Sequence, residues 1–310
     1  MRKHGRTATD KRAVREEFSM GELYEKFMWY KRAEGLAPRT LEEYELHFRW
    51  FIDYLKGDIP KEQMVPELFL KYFHYMAHER ELAPYTVNIR TMRAFLRWCY
   101  LEEHIDTPIH EKLKLVKTEE DKIEALTVVE IKSLLNAFDT TTYVGFRDKV
   151  MVMVLLDTMV RISELLSIKR SNVDLKEGTI KLEAPNTKTR KGRTVPISKK
   201  TAKLLKEYMT ESEDFGEELL FLTYDGREMV SNTWRTRLHE VADLSGVKKA
   251  VRPHILRHIG ALLYIMNGGD PFSLQKILGH TTMEMTRKYI QMTDVDIRKQ
   301  HNFYSPLKGI

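Results

Sequence analysis

Between Pro253 and Tyr289 the chain gathers two imidazoles, a guanidinium and a phenol: His254 and Arg257 in PHILRH, His280 in LGH, and Tyr289 nine residues further on. That set suits an anion better than a neutral substrate. A phosphodiester needs a nucleophile, donors for its non-bridging oxygens and groups that carry protons, and these side chains supply all three. The stretch lacks a carboxylate pair that could activate water, and it has no cluster of metal ligands. His254 and His258 stand four apart, a spacing that could begin a zinc site, but no glutamate follows the first histidine and no third ligand is evident. The remaining nucleophile is the tyrosine oxygen, which would leave the protein esterified to its substrate.

Positioning these groups falls to three short helices. Pro253 can open the first, which runs out at Gly268 and Gly269; Pro271 can open the second; Thr281 with Glu284 reads as the start of the third. Upstream, an apolar helix over Arg147 to Met159 must be core, and it delivers Arg161 at its end with Glu164 three positions on. The pair has two readings, a phosphate clamp on a rigid base or a structural ion pair on the surface. Next come TIKLE and RTVPI, a β-hairpin with Lys188, Arg190, Lys191 and Arg193 around its tip, after SNVDLKEG read as a turn. A lysine at such a tip can swing into a groove and withdraw, or it is simply exposed. A helix over Lys199 to Met209, an Asp225-Gly226 turn and a helix from Ser231 complete the approach.

The first third of the chain is helical throughout. Ser19 with Glu22 and Thr40 with Glu43 each spell a capping box ahead of apolar periodicity, and two further helices follow, Pro66 to Glu79 and Thr86 to Glu103. On the last of these, Arg90, Arg93 and Arg97 share one sector while Met92, Phe95, Leu96 and Cys99 lie opposite, so a buried face backs a face that can lie along phosphates or be merely solvated. Residues 106–123 are polar and lysine-containing, and read as an interdomain linker; residues 1–17 are a basic arm, either a solvated tail or a DNA contact.

Composition agrees with this division. A chain of 310 residues can bury two cores, and 42% hydrophobic with 31% charged residues describes a soluble globular protein. A net charge of +6 suits a polyanionic partner without proving one. The single cysteine, Cys99, excludes an internal disulfide and points to a reducing, cytoplasmic setting. The most apolar run, Val150 to Leu156, is far too short to span a membrane, and the N-terminus carries no signal peptide pattern.

Taken jointly, Arg161 in VRISELLSI, Lys188 in NTKTRKGRTVPIS, HILRH at 254–258, LGH at 278–280 and Tyr289 resemble the tyrosine recombinase (phage integrase) family, in its two-domain Xer-like or transposon-type form. The resemblance implies a mainly α fold with a small β-sheet. An all-α, SAM-like four-helix core-binding domain would occupy 18–105, and an α+β catalytic domain 124–310, with a tail at 291–310 that packs in cis or on a neighbouring subunit. It implies a site-specific recombinase that cleaves and rejoins duplex DNA through a 3′-phosphotyrosyl bond, for integration, excision, transposition or dimer resolution. Tyr289 would be the nucleophile, Arg161 and Arg257 the phosphate clamp, Lys188 the acid for the leaving 5′-oxygen, His254 an acid or base for the tyrosine, His280 a donor to the phosphate, and Glu164 a support. The implied partner is double-stranded DNA, bound by a homo-tetramer of a protein that is monomeric when free, with no cofactor or metal and no membrane. A scaffold that binds DNA without cutting it, and a type IB topoisomerase, are the alternatives. Two positions depart from the family's pattern: Met159 stands where a glycine is usual before the first arginine, and Ile259-Gly260 follow His258 in place of a small hydroxyl residue and an aromatic.

Overall fold

The computed structural model describes residues 18–78, 86–114, 125–184, 192–291, 301 and 305–307. The basic arm, Lys188, Arg190, Lys191, half of the linker and most of the C-terminal tail lie outside the described residues. The chain divides into two compact units, Met1–Asp121 and Lys122–Ile310.

The first unit is all helical: α1 (Met20–Ala33), α2 (Pro38–Leu55), α3 (Pro66–His78), α4 (Thr86–Leu101) and a single turn, α5 (Ile109–Lys112). Ser19 opens α1 with the expected capping box, accepting from the Glu22 amide while Glu22 returns to the Ser19 amide. The second expected box does not form. Helix α2 starts two residues before Thr40, at Pro38, whose fixed φ suits the first helical position. On α4, Met92, Phe95, Leu96 and Cys99 are fully buried, Arg90 and Arg97 are exposed and Arg93 is half-buried, so the wheel holds. Ile109 and Leu113 join the same core, so the first residues of the expected linker fold onto this unit instead of running free.

One buried polar pair ties α2 to α4. His47, beside the Trp50 ring, has Nδ1 2.8 Å from the Thr91 hydroxyl, and both residues are buried. Burial holds His47 below its ordinary value of 6.5, against a smaller upward pull from Glu43. The folded state resists a proton that the unfolded chain accepts, so this contribution is present above the unfolded value and is lost as pH falls below it. The urea midpoint of the first unit, read from tryptophan fluorescence, should therefore drop from about pH 7 to about pH 5, and His47→Gln should flatten that slope. An unchanged slope in the variant would assign the effect to other groups.

The second unit surrounds α7 (Tyr143–Thr158), which is buried on nearly every side. Around it stand α6 (Val128–Asn136), α8 (Ile162–Leu166), α9 (Lys199–Glu211), α10 (Ser231–Leu244), α11 (Pro253–Met266), α12 (Pro271–Leu278) and α13 (Glu284–Gln291). A three-stranded antiparallel sheet follows the order β1 (Val173–Asp174), β2 (Thr179–Leu182), β3 (Arg193–Pro196), with β3 against α12. The hairpin was expected; β1 was not, because two residues carry no alternation to read. Helix α13 also begins later than Thr281, at Glu284, with the Thr286 and Arg287 amides both returning to the Met283 carbonyl. No helix among the described residues is long and apolar enough to cross a membrane.

Candidate active site

The site begins where α7 stops. Met159 takes a left-handed conformation, φ 53°, with its amide on the Leu155 carbonyl, and the reversed chain then presents Arg161 ahead of α8. A glycine would adopt that turn without strain, yet the turn forms with methionine. The cost is offset by burial of the Met159 side chain. At Gly260 on α11 an added Cβ would lie 2.9 Å from Met159 Cγ and 2.3 Å from the Leu156 carbonyl oxygen. Gly260 thus lets α11 pass close to the end of α7, with the Leu156 carbonyl and the Met159 side chain both against it.

Glu164 is the hub. One carboxylate oxygen accepts from the Arg161 amide (2.8 Å) and Arg193 Nη2 (2.8 Å), the other from Arg161 Nη1 (3.0 Å) and Arg193 Nη1 (3.0 Å), and Arg257 Nη1 stands 4.0 Å off. With Glu164 only 1% exposed, the surface ion pair allowed by the sequence is ruled out. Burial pushes its carboxyl up, but the hydrogen bonds from Arg193 and the Arg161 amide, together with both positive charges, outweigh that and leave it below the ordinary carboxylate range.

Arg257, buried on α11, donates to the Met159 carbonyl (2.6 Å) and to the Leu278 carbonyl (2.9 Å); Arg193 Nε donates to the Ile277 carbonyl (2.8 Å). Two arginines thereby satisfy the free carbonyls at the end of α12 and fix its approach. Burial first, and the neighbouring Arg161 second, push Arg257 down to about 10, which leaves it cationic at neutral pH.

Helix α13 packs on α11 and α12 and turns Thr286 and Tyr289 inward. The Tyr289 hydroxyl lies 2.5 Å from His258 Nδ1. Burial raises its pKa, while Arg257 and then Arg161 pull it back. His280 has Nδ1 3.0 Å from the Thr286 hydroxyl and Nε2 3.5 Å from Arg257 Nη2; burial, then Arg257, push it down to about 4, so the ring is neutral.

Of the residues read from sequence, Arg161, Glu164, Arg257, His280 and Tyr289 come together, and Lys188 is outside the described residues. His254 is exposed, its ring centre 6.4 Å from that of His258, and the imidazole on the phenol is His258. Its signal is the i, i+4 repeat in HILRH, which reads equally as half of an unfinished zinc pair. Arg193 was legible only as one charge of a basic tip, and Thr286 carried no signal. Among the described residues, no three His, Cys, Asp or Glu side chains could hold a metal ion. The arrangement can seat a tetrahedral anion against guanidinium donors and an imidazole, with a phenol whose proton has an acceptor.

The sequence profile described as the phage integrase family matches residues 124–295. The chain is 26% identical to the tyrosine recombinase XerD of Listeria monocytogenes over 300 residues, spanning 93% of this chain and 99% of that one. In fold it is similar to the Tn1549 transposon integrase in complex with transposon right end DNA, with TM-score 0.75 at 19% identity over 92% of this chain and 99% of that chain. It is also similar to a lambda integrase tetramer bound to a Holliday junction, with TM-score 0.70 at 19% identity over 88% and 78%.

Proposed function

The chain belongs to the phage integrase family and is a site-specific tyrosine recombinase, and we propose that it cuts and rejoins duplex DNA with Tyr289 as the nucleophile. One observation carries the assignment of residues: Arg161, Arg257, His280 and Tyr289 converge, and the phenol already has a proton acceptor in His258.

In the proposed step the Tyr289 oxygen attacks phosphorus, its proton passes to His258 Nδ1, and the bond from phosphorus to the 5′-oxygen breaks. The product is a 3′-phosphotyrosyl ester and a free 5′-hydroxyl. Charge gathers on the equatorial oxygens, which Arg161 and Arg257 match in geometry and sign, with His280 as a third donor. A phenol near ten is a poor nucleophile at neutrality, and burial worsens it here; the two guanidiniums and the His258 contact work against that penalty. Rejoining reverses the step, so the ester conserves the energy and no nucleotide is spent.

Lys188 is proposed as the acid for the leaving 5′-oxygen. Lys188→Ala should slow cleavage by about 10²- to 10⁴-fold on normal DNA and recover most of that on a 5′-bridging phosphorothiolate, whose sulfur leaves unprotonated. Equal impairment on both substrates would remove the assignment. Arg90, Arg93 and Arg97 of α4, the tip residues Arg190 and Lys191, and the basic arm at 1–17 are proposed to contact backbone phosphates. Because two duplexes must each be cut on both strands, four protomers would assemble on DNA, as in the lambda integrase complex, from a protein monomeric when free. The setting would be the cytoplasm, and the role integration, excision, transposition or dimer resolution. The test is a duplex nicked beside the scissile phosphate, where loss of the short 5′-hydroxyl fragment traps a covalent adduct whose peptide map should contain Tyr289. Failure of the wild-type protein to form any adduct on its own site would overturn the reading.

A further inference from the structure

The environment of His280 holds a contradiction that Thr286 resolves. His280 Nε2 lies 3.5 Å from Arg257 Nη2, and a guanidinium can only donate, so a hydrogen bond between them needs the lone pair on Nε2 and the ring proton on Nδ1, where the Thr286 hydroxyl stands 3.0 Å away to accept it. A phosphate oxygen is also only an acceptor. To hold one, the same Nε2 must become a donor, and a neutral ring can do so only by moving its proton from Nδ1 to Nε2.

That exchange leaves Nδ1 as an acceptor, and the group beside it must then donate. Only a hydroxyl can accept in one state and donate in the other without moving, by rotating its hydrogen. Thr286 is fully buried, so its hydroxyl stays against the ring through both states. We infer that Thr286 is a positioning residue that lets His280 turn from acceptor for Arg257 in the free protein to donor for the phosphate when DNA is bound. Thr286 lies three residues before Tyr289 on α13, on the same inward face. The helix that delivers the nucleophile therefore also completes the phosphate pocket, and neither is ready without the other. The inference deepens the recombinase reading and rests on it.

The experiment compares Thr286→Val, which keeps shape and loses the hydroxyl, with Thr286→Ser, which keeps the hydroxyl, in single-turnover cleavage of the nicked duplex by the full-length protein. Valine should slow cleavage by about 10- to 100-fold and serine by about 3-fold at most, because only valine leaves Nδ1 without a donor in the loaded site. Acid should rescue the valine variant selectively, since a doubly protonated ring donates from Nε2 without exchange. The charged groups facing His280 are Arg257 and His258 from α11, Arg161 and Arg193; all are retained in both variants, so the difference between their pH profiles belongs to the hydroxyl. Wild-type rate in the valine variant, equal loss with serine, or a valine profile parallel to wild type would each overturn the inference. A readout independent of cleavage is the ¹⁵N spectrum of His280 in the free protein. It should show the Nδ1–H tautomer in the wild type, and an Nε2–H tautomer there would overturn the inference even if DNA is cut normally.

Discussion

Tyr289→Phe is expected to form no covalent adduct with the nicked duplex while shifting DNA in a gel as the wild type does. The substitution removes one oxygen and nothing else. The ring is 4% exposed and packs within the core of the second unit, so its apolar contacts survive in phenylalanine. The lost hydrogen bond to His258 should cost about 1 kcal/mol, a shift of a few degrees in Tm at most for a unit of this size. Cleavage, by contrast, should fall below detection, by more than about 10⁴-fold, because no neighbouring group can take the place of the attacking oxygen. His258 is the second half of the same argument: His258→Gln should slow adduct formation at neutral pH more than His254→Gln does, because the hydroxyl touches the first and not the second. An adduct in Tyr289→Phe would mean that another side chain attacks.

The contrast between the two histidines shows what a sequence can and cannot locate. Residues 254 and 258 are one helical turn apart on nearly the same face of α11, so their spacing cannot say which meets a partner 31 residues later. That choice is made by where α13 docks, a tertiary fact. Arg193 was hidden for the same reason. It looked like one of several exposed charges on a hairpin, and its partners, Glu164 and the Ile277 carbonyl, lie 29 and 84 residues away. Local signals fared better. The capping box at Ser19, the apolar run of α7, the proline starts of α11 and α12 and the hairpin pairing of β2 with β3 are all set by neighbours within a turn or two. Where a local signal failed, at Thr40, a stronger one stood two residues ahead in Pro38. Arg161, Arg257, His280 and Tyr289 could be grouped from their types alone, because few side chains suit a phosphate, but that they lie near one another is set by how α11, α12 and α13 pack.

Glu164→Gln should cost stability as well as rate. Glu164 is the one carboxylate among three guanidiniums, and it accepts from Arg161 and Arg193 through both oxygens. Glutamine turns one acceptor into an NH₂ group facing an arginine donor and leaves the buried positive charges without compensation. Breaking a buried ion pair from one side costs about 3 kcal/mol or more. Adduct formation should fall by about 10²- to 10³-fold, because Arg161 loses the anchor for both its amide and its guanidinium and no longer waits at the phosphate. The carboxylate is held below its ordinary range, so its contribution is present above the unfolded value and is lost as pH falls through the folded one; the glutamine variant should lose that part of the acid-limb slope. The decisive comparison is a double variant. If the penalty is uncompensated charge, Arg193→Leu added to Glu164→Gln should raise the Tm above that of Glu164→Gln alone, although Arg193→Leu by itself lowers it. Simple additivity of the two losses would mean that Glu164 acts by packing, and that the three arginines hold their places without it.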